Sequence, residues 1–272
     1  VFSLTPSLRC GSAANPRDLH TMLAIIGGTG LSKIACFEAA GQETVSTPYS
    51  DDAVVVSRFR HEGRAVLFVP RHGADHVVPP HRINYRANIW ALKHLGVKEI
   101  VAINAVGGIH QDLKPGSLAV PDQLIDYSWG RESTFFADNL TEVTHIDFTH
   151  PYDEKLRQRI LSSIAVVNAS SSVSRAVLAG GVYGCTQGPR LETAAEIVRL
   201  RRDGCDMVGM TGMPEAALAR EVELSYASIA LSVNWAAGLS DKPISLQQIY
   251  AVLEDGMEFI AALLQEISKQ SD

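Results

Sequence analysis

No run of apolar residues in this chain reaches the roughly 18 to 20 needed to span a bilayer. No block of lysine or arginine supplies the footprint of a nucleic-acid binder either. Acidic side chains outnumber basic ones 30 to 24, for a net charge of -6. A small or phosphate-bearing partner therefore has to find a local positive site. Cysteine is scarce: Cys10, Cys36, Cys185 and Cys205 are scattered, with no CxxC or Cys/His metal spacing. Reduced thiols in a cytoplasm are the expectation. Residues 1–21 are polar, rich in Pro, Ser and Asn, and lack the continuous apolar core of a secretory signal peptide. They are expected to be a poorly ordered extension ahead of Met22.

What is present suits an α/β enzyme. A chain of 272 residues with 46% hydrophobic side chains can bury a sizeable core. "MLAIIGGTG" (22–30) is a short strand apolar on both faces, running into a glycine turn, as parallel sheets often begin. "AVVVSRF" and "RAVLFVP" predict a hairpin turning at His61, Glu62 and Gly63. Residues 81–97 predict a helix ended by Gly96. "EIVAIN" is the next strand, and "SLAVPDQLIDY" (117–127) another. A long polar and aromatic loop over 128–150 contains His145 and His150. Helices are expected from Asp153 to about Val167, over "ETAAEIVRLRRDG", over "PEAALAREVE" and over the C-terminal "SLQQIYAVLEDGMEFIAALLQEI". Short strands fall in 176–189 and at "DMVGMTG", and "LSYASIALSVN" is the most apolar strand. With no internal repeat or linker, residues 22–272 are expected to form one domain. In such folds ligands sit beyond the strand ends.

Polar and glycine residues gather at those ends. "GGTG" (27–30) turns backbone N–H groups and the Thr29 hydroxyl toward an anion. A dinucleotide fingerprint needs a third glycine where Lys33 stands, which counts against a dehydrogenase. Arg71 and His72 in "PRHGADH" offer a planar fork and a ring donor suited to phosphate, although a solvated loop explains them equally. "NAVGG" (104–108) and Thr211 in "GMTGMPE" end two further strands. Together these four make an anion site. Glu192 in "GPRLE" reads either as a base-binding carboxylate or as an acid in the first turn of a helix. Asn234 in "ALSVNWAAG" reads as a ligand contact or a turn residue.

The ordered set "IIGGTGL", "PRHGADH", "NYRANIWALKHLGV", "INAVGGI", "GPRLET", "MVGMTGMPEAALARE" and "SYASIALSVNWAAG" resembles the trimeric purine nucleoside phosphorylase and methylthioadenosine phosphorylase family, over nearly all of 22–272. The resemblance implies a single α/β domain around a mixed, partly barrel-like β-sheet flanked by helices. The implied reaction is reversible phosphorolysis of an N-glycosidic bond, with inorganic phosphate as cosubstrate and neither metal nor other cofactor. It places Thr29, Arg71, His72, Asn104, Ala105 and Thr211 at phosphate, and Met210 against the ribose. It also implies a homotrimer, in which His145 reaches a neighbouring subunit's sugar pocket.

Donors and acceptors then choose the base. Ionised Glu192 only accepts hydrogen bonds, so it suits the N1–H of a 6-oxopurine and faces the lone pair of adenine N1. Asn234 can donate to O6 or serve N7 as the base leaves, with Trp235 and Ala236 beside it. Adenine-selective members of the family carry Ser at the Glu192 position, Asp at the Asn234 position and a second Asp at the Ala236 position. Mispaired buried polar groups discriminate by roughly 10⁴ to 10⁵, so a 6-oxopurine is expected. On the 5′ side, "ISLQQI" (244–249) brings Leu246 and Ile249, and no histidine follows His150. An apolar 5′ group is expected, which makes methylthioinosine the expected substrate. A general inosine/guanosine phosphorylase and a methylthioadenosine phosphorylase are the alternatives.

Overall fold

Five consecutive buried residues, Leu23–Gly27, form β1 between two parallel neighbours, β4 (Arg64–Pro70) and β5 (Glu99–Gly108). In this computed structural model, which describes residues 22–28, 36–138 and 140–270, β1 alternates between two core layers. Ala24 and Ile26 pack in one with Ile89 and Leu92 of α1 (Tyr85–His94) and Leu218 of α4 (Glu215–Glu221). Leu23 and Ile25 pack in the other with Ile160 and Ile164 of α2 (Glu154–Ser170) and Ile260, Leu263 and Ile267 of α5 (Leu246–Lys269). A strand covered by helices on both faces has no polar side to show, which is why its sequence is continuously apolar.

The expected fold class is the observed one, an α/β domain on a large mixed sheet. From one edge the order is β2 (Glu38–Thr47), β3 (Ser50–His61), β4, β1, β5, β10 (Met207–Gly209), β9 (Val182–Cys185) and β7 (Gln123–Asp126). The sheet forks at β5. Along its whole length β5 also pairs in parallel with β11 (Ser225–Trp235), which in turn pairs with β6 (Leu118–Ala119), and β6 with β8 (Val177–Leu178). The β3–β4 hairpin turns where expected, with Glu62 and Gly63 both at positive φ, 49° and 80°.

Several boundaries differ from the sequence expectations. The helix expected over 81–97 is a 3₁₀ turn at Pro80–Arg82 followed by α1, which starts late because Asn84 caps it, accepting from the Ala87 N–H at 2.9 Å. Residues 117–127 are two strands, not one, separated by Pro121, whose missing N–H breaks the ladder. Buried Arg157 fills the gap, donating to the carbonyls of Val120, Pro121 and Ala179. β2 had no sequence signal, because apart from Val45 it lies largely exposed. "NAVGG" ends a strand as expected, and β5 runs through all five of its residues to Gly108. The α3 helix (Ala194–Arg202) begins two residues after Glu192, with Thr193 as its cap in a reciprocal box with Glu196.

Cys36, Cys185 and Cys205 are free thiols, and burial pushes Cys185 up to about 12. No helix among the described residues is long and apolar enough to cross a membrane.

Candidate active site

A cavity of about 430 Å³ opens just past β1 and against the C-terminal halves of β5, β10 and β11. Of the residues singled out from the sequence, His72, Asn104, Ala105, Glu192, Met210, Thr211, Asn234, Ala236 and Ile249 line it. Trp235 instead lines an adjoining cavity of about 380 Å³, which shares Val233, Asn234 and Ile244 with the first. Leu246 lines neither and is 62% exposed, on the outer side of the first turn of α5. His145 is exposed and outside this protomer's cavity. Thr29 lies outside the described residues.

Gly28, just past β1, borders the cavity beside His72. A Cβ there would stand 3.0 Å from His72 Cδ2 and 3.2 Å from Nε2, so only glycine leaves that ring edge open. His72 Nδ1 lies 2.8 Å from the Val78 carbonyl, which can only accept; Nδ1 therefore carries the proton and Nε2 presents a lone pair. Burial lowers the ring to about 4, with Arg71 and His76 pushing the same way against the Val78 hydrogen bond. His72 is thus a neutral acceptor in the unliganded protein, not the donor its residue type suggests.

Arg71 stands behind the cavity wall, 3% exposed. Its fork is committed to Glu215: Nε donates to Oε2 at 3.0 Å and Nη2 to Oε1 at 2.8 Å, while Nη1 and Nη2 also hold the carbonyls of Ile103 and Ile26. This corrects the expectation of a fork open to phosphate. A guanidinium this deep needs a counterion, and only one Nη1 hydrogen of its five remains. Burial works against the charge, and Glu215 more than offsets it, so the pair stays ionic. Tyr226 donates to the same carboxylate at 2.8 Å.

Asn104 is also enclosed. Its Oδ1 accepts from Ser228 Oγ at 2.6 Å, and its Nδ2 donates to Thr211 Oγ1 at 2.7 Å. Because Thr211 accepts from Asn104, its own hydroxyl proton is left to turn into the cavity. Ala105, exposed in the middle of an otherwise buried strand, marks where β5 backbone borders the open space.

Across the cavity, Glu192 Oε1 accepts from Thr186 Oγ1 at 2.6 Å. That bond, made ahead of the helix, replaces the reading of Glu192 as a first-turn acid. Asn234 falls at a register shift in the β5–β11 ladder, between Ser232 and Asn234. Such a bulge re-aims a side chain at a strand end. Its Nδ2 donates to the Trp235 carbonyl at 2.7 Å. The α5 side of the wall is apolar: Ile249, Leu253 and Met257 recur every four residues along one face of the helix, joined by Ile244.

Reading the sequence missed Glu215, Thr186, Ile244, Leu253 and Met257. The helical period from Ile249 points to the last two; nothing local marks Glu215 as the partner of a residue 144 positions away.

A profile of the Phosphorylase superfamily matches residues 22–269. The chain is 51% identical over 251 residues to a protein of Pseudomonas syringae pv. tomato named "Probable S-methyl-5'-thioinosine phosphorylase", covering 92% of this chain and 100% of that one. It is 42% identical over 247 residues to a "Probable 6-oxopurine nucleoside phosphorylase" of Thermococcus kodakarensis, covering 89% and 90%. A methylthioadenosine phosphorylase from Schistosoma mansoni, solved with adenine, superposes with a TM-score of 0.85 at 32% identity, covering 92% of this chain and 91% of that one.

Proposed function

This chain belongs to the phosphorylase superfamily, and on that premise we propose that it cleaves the N-glycosidic bond of a 6-oxopurine nucleoside with phosphate, S-methyl-5′-thioinosine above all. The products are hypoxanthine and 5-methylthioribose 1-phosphate, which makes the protein a pentosyltransferase of purine salvage. The observation that carries the reading is the joint presence, on one cavity, of Glu192, Asn234 and the apolar α5 stripe.

Phosphate sits at the β1, β5 and β10 ends. Thr211 donates its hydroxyl, Ala105 lends backbone, Asn104 fixes Thr211, and His72 shares a proton with the anion. Arg71 adds its last N–H and the positive side of its ion pair, and the Thr29 hydroxyl is assigned to phosphate from the sequence and its family resemblance alone. Holding phosphate against C1′ of the sugar, which rests on Met210, removes much of the entropic cost of bringing two substrates together. As the bond stretches, positive charge grows on the sugar and negative charge on the purine. Phosphate stabilises the first. Asn234 stabilises the second, by releasing Trp235 and turning its amide to N7, while Glu192 orients the base through N1–H. Ala236 leaves no carboxylate to hold an adenine amino group. Ile249, Leu253 and Met257 receive the methylthio group; Leu246 and Trp235 flank the 236–245 segment beside it. Inorganic phosphate is the only cosubstrate in this scheme, without metal or cofactor. The enzyme acts in the cytoplasm as a homotrimer, with His145 completing a neighbour's sugar pocket, and needs neither nucleic acid nor membrane.

Incubation with phosphate and, separately, methylthioinosine, inosine, methylthioadenosine and adenosine tests this. Hypoxanthine release that requires phosphate and is fastest from methylthioinosine is expected. Release of adenine alone overturns the base assignment, and release without phosphate overturns phosphorolysis.

A further inference from the structure

Arg131 stands in the irregular stretch between β7 and α2, half-buried and lining neither cavity. Its guanidinium nevertheless ties two cavity-forming loops together. Nη2 donates to the carbonyls of Thr186 (3.1 Å) and Gln187 (2.9 Å), and Nε to Gln187 Oε1 (3.1 Å). Nη1 donates to the carbonyls of Met210 (2.9 Å) and Met213 and to the Tyr85 hydroxyl (3.3 Å), with the guanidinium 5.6 Å from the centre of the Tyr85 ring. The first loop leads to Glu192. The second carries Met210 and Thr211 and runs into α4, whose Glu215 holds Arg71.

Four backbone carbonyls from separate loops thus converge on one cation. Without it their dipoles repel one another and lack donors in a half-buried place. The loops meet closely because residue 188 is glycine: at φ 63° it adopts a left-handed backbone, and a Cβ there would lie 2.5 Å from Met210 Sδ. A planar fork reaches both sides at once, whereas a lysine ammonium gathers its three N–H donors at a single atom.

We propose that Arg131 is a positioning residue that holds the Glu192 loop in register with the Met210–Thr211 loop, and so sets the base against the phosphate. Its effect on turnover rests on the phosphorolysis proposed above. Each loop still binds its own substrate without Arg131, but the two no longer meet in line, and a displacement near 1 Å costs about 10²-fold in rate.

Hydrogen exchange of the unliganded protein tests the positioning without any substrate. In Arg131→Lys, amides in 186–193 and 209–214 are expected to exchange faster than in the wild type. Kinetics of the same variant are expected to show kcat reduced about 10²-fold, with both KM values within about threefold. In Arg131→Ala, millimolar guanidinium is expected to restore turnover several-fold at unchanged Tm, which a general loss of stability does not permit. Unchanged exchange, a loss carried wholly by one KM, or no rescue in a folded Arg131→Ala overturns the proposal. Should Arg131→Ala fail to fold, the exchange and kinetic results of Arg131→Lys decide. If the wild type releases no base, the functional reading fails, and the exchange comparison still decides whether Arg131 positions the loops.

Discussion

Glu215 grips both the Nε and the Nη2 of Arg71, at 3.0 and 2.8 Å, with both side chains 1% exposed. The end of the cavity proposed for phosphate therefore has an arginine without having that arginine's full charge. Glu215→Gln keeps the shape and removes the compensation, and breaking a buried pair costs about 3–5 kcal/mol. Phosphate supplies the missing negative charge, so the variant is expected to melt lower than wild type yet gain more from added phosphate. Calorimetry with and without phosphate measures both. An equal phosphate shift in the two proteins would show that the Arg71 charge does not reach the anion.

The Nε2 lone pair of a neutral His72 facing the cavity disfavours the dianion HPO4²⁻, the main form of free phosphate at pH 8, relative to H2PO4⁻. Binding is therefore expected to take up a proton, shared between the anion and Nε2. Titration calorimetry at pH 8 in buffers of different ionisation heat reads this directly, and His72→Asn is expected to abolish it. The same ring makes the fold acid-sensitive. With its value lowered from 6.5 to about 4, the unfolded chain binds more protons than the folded one within that window, so stability falls as pH drops through it. A melting-temperature series in phosphate-free buffer should lose part of its slope there in His72→Asn.

Glu192 and Asn234 bring a carboxylate and an amide to one cavity. Glu192→Ser combined with Asn234→Asp is expected to move release from hypoxanthine toward adenine, and an unmoved ratio in paired assays would contradict the pocket assignment. Asn234→Ala is expected to lower kcat much more than it weakens phosphate binding, because the amide acts on charge that appears only as the bond breaks. Parallel losses in both would remove Asn234 from that role.

Along α5, Ile249→Ser replaces hydrocarbon with a hydroxyl at the cavity wall. Losing contact with a methylthio group is worth about 1.4 kcal/mol, or roughly tenfold. The ratio of kcat/KM for methylthioinosine to that for inosine is expected to fall by that factor, while stability changes little. A ratio that holds would place the 5′ group elsewhere.

The apolar runs of β1 and β11 and the helical period of α5 were legible in the residues, as were most of the polar side chains on the cavity wall, because strand ends carrying glycine and polar residues stand out against apolar runs. What was not legible depends on contacts between distant segments. Arg71 looked like an open fork because nothing near it announces Glu215. Asn104 closes the strand expected at "EIVAIN", but pairing with β11 and β10 carries β5 on through two glycines to Gly108, which few β-formers in "NAVGG" announce. Leu246 and Ile249 were equally apolar on paper; only the rotation of α5 separates the exposed one from the one that faces the cavity.

The fork at β5 also orders events in time. Glu99 pairs with both Leu23 and Ser225, so a chain emerging from the ribosome can dock β1 and β4 onto one side of β5 early. The other side stays bare until most of the protein has been made. Long-range pairings of this kind are slow and leave apolar strand edges exposed in the interim. Asn104 meets Ser228 only after that last strand arrives, so a nascent chain truncated before β11 carries most of the motifs but lacks Ser228, Asn234 and the α5 wall.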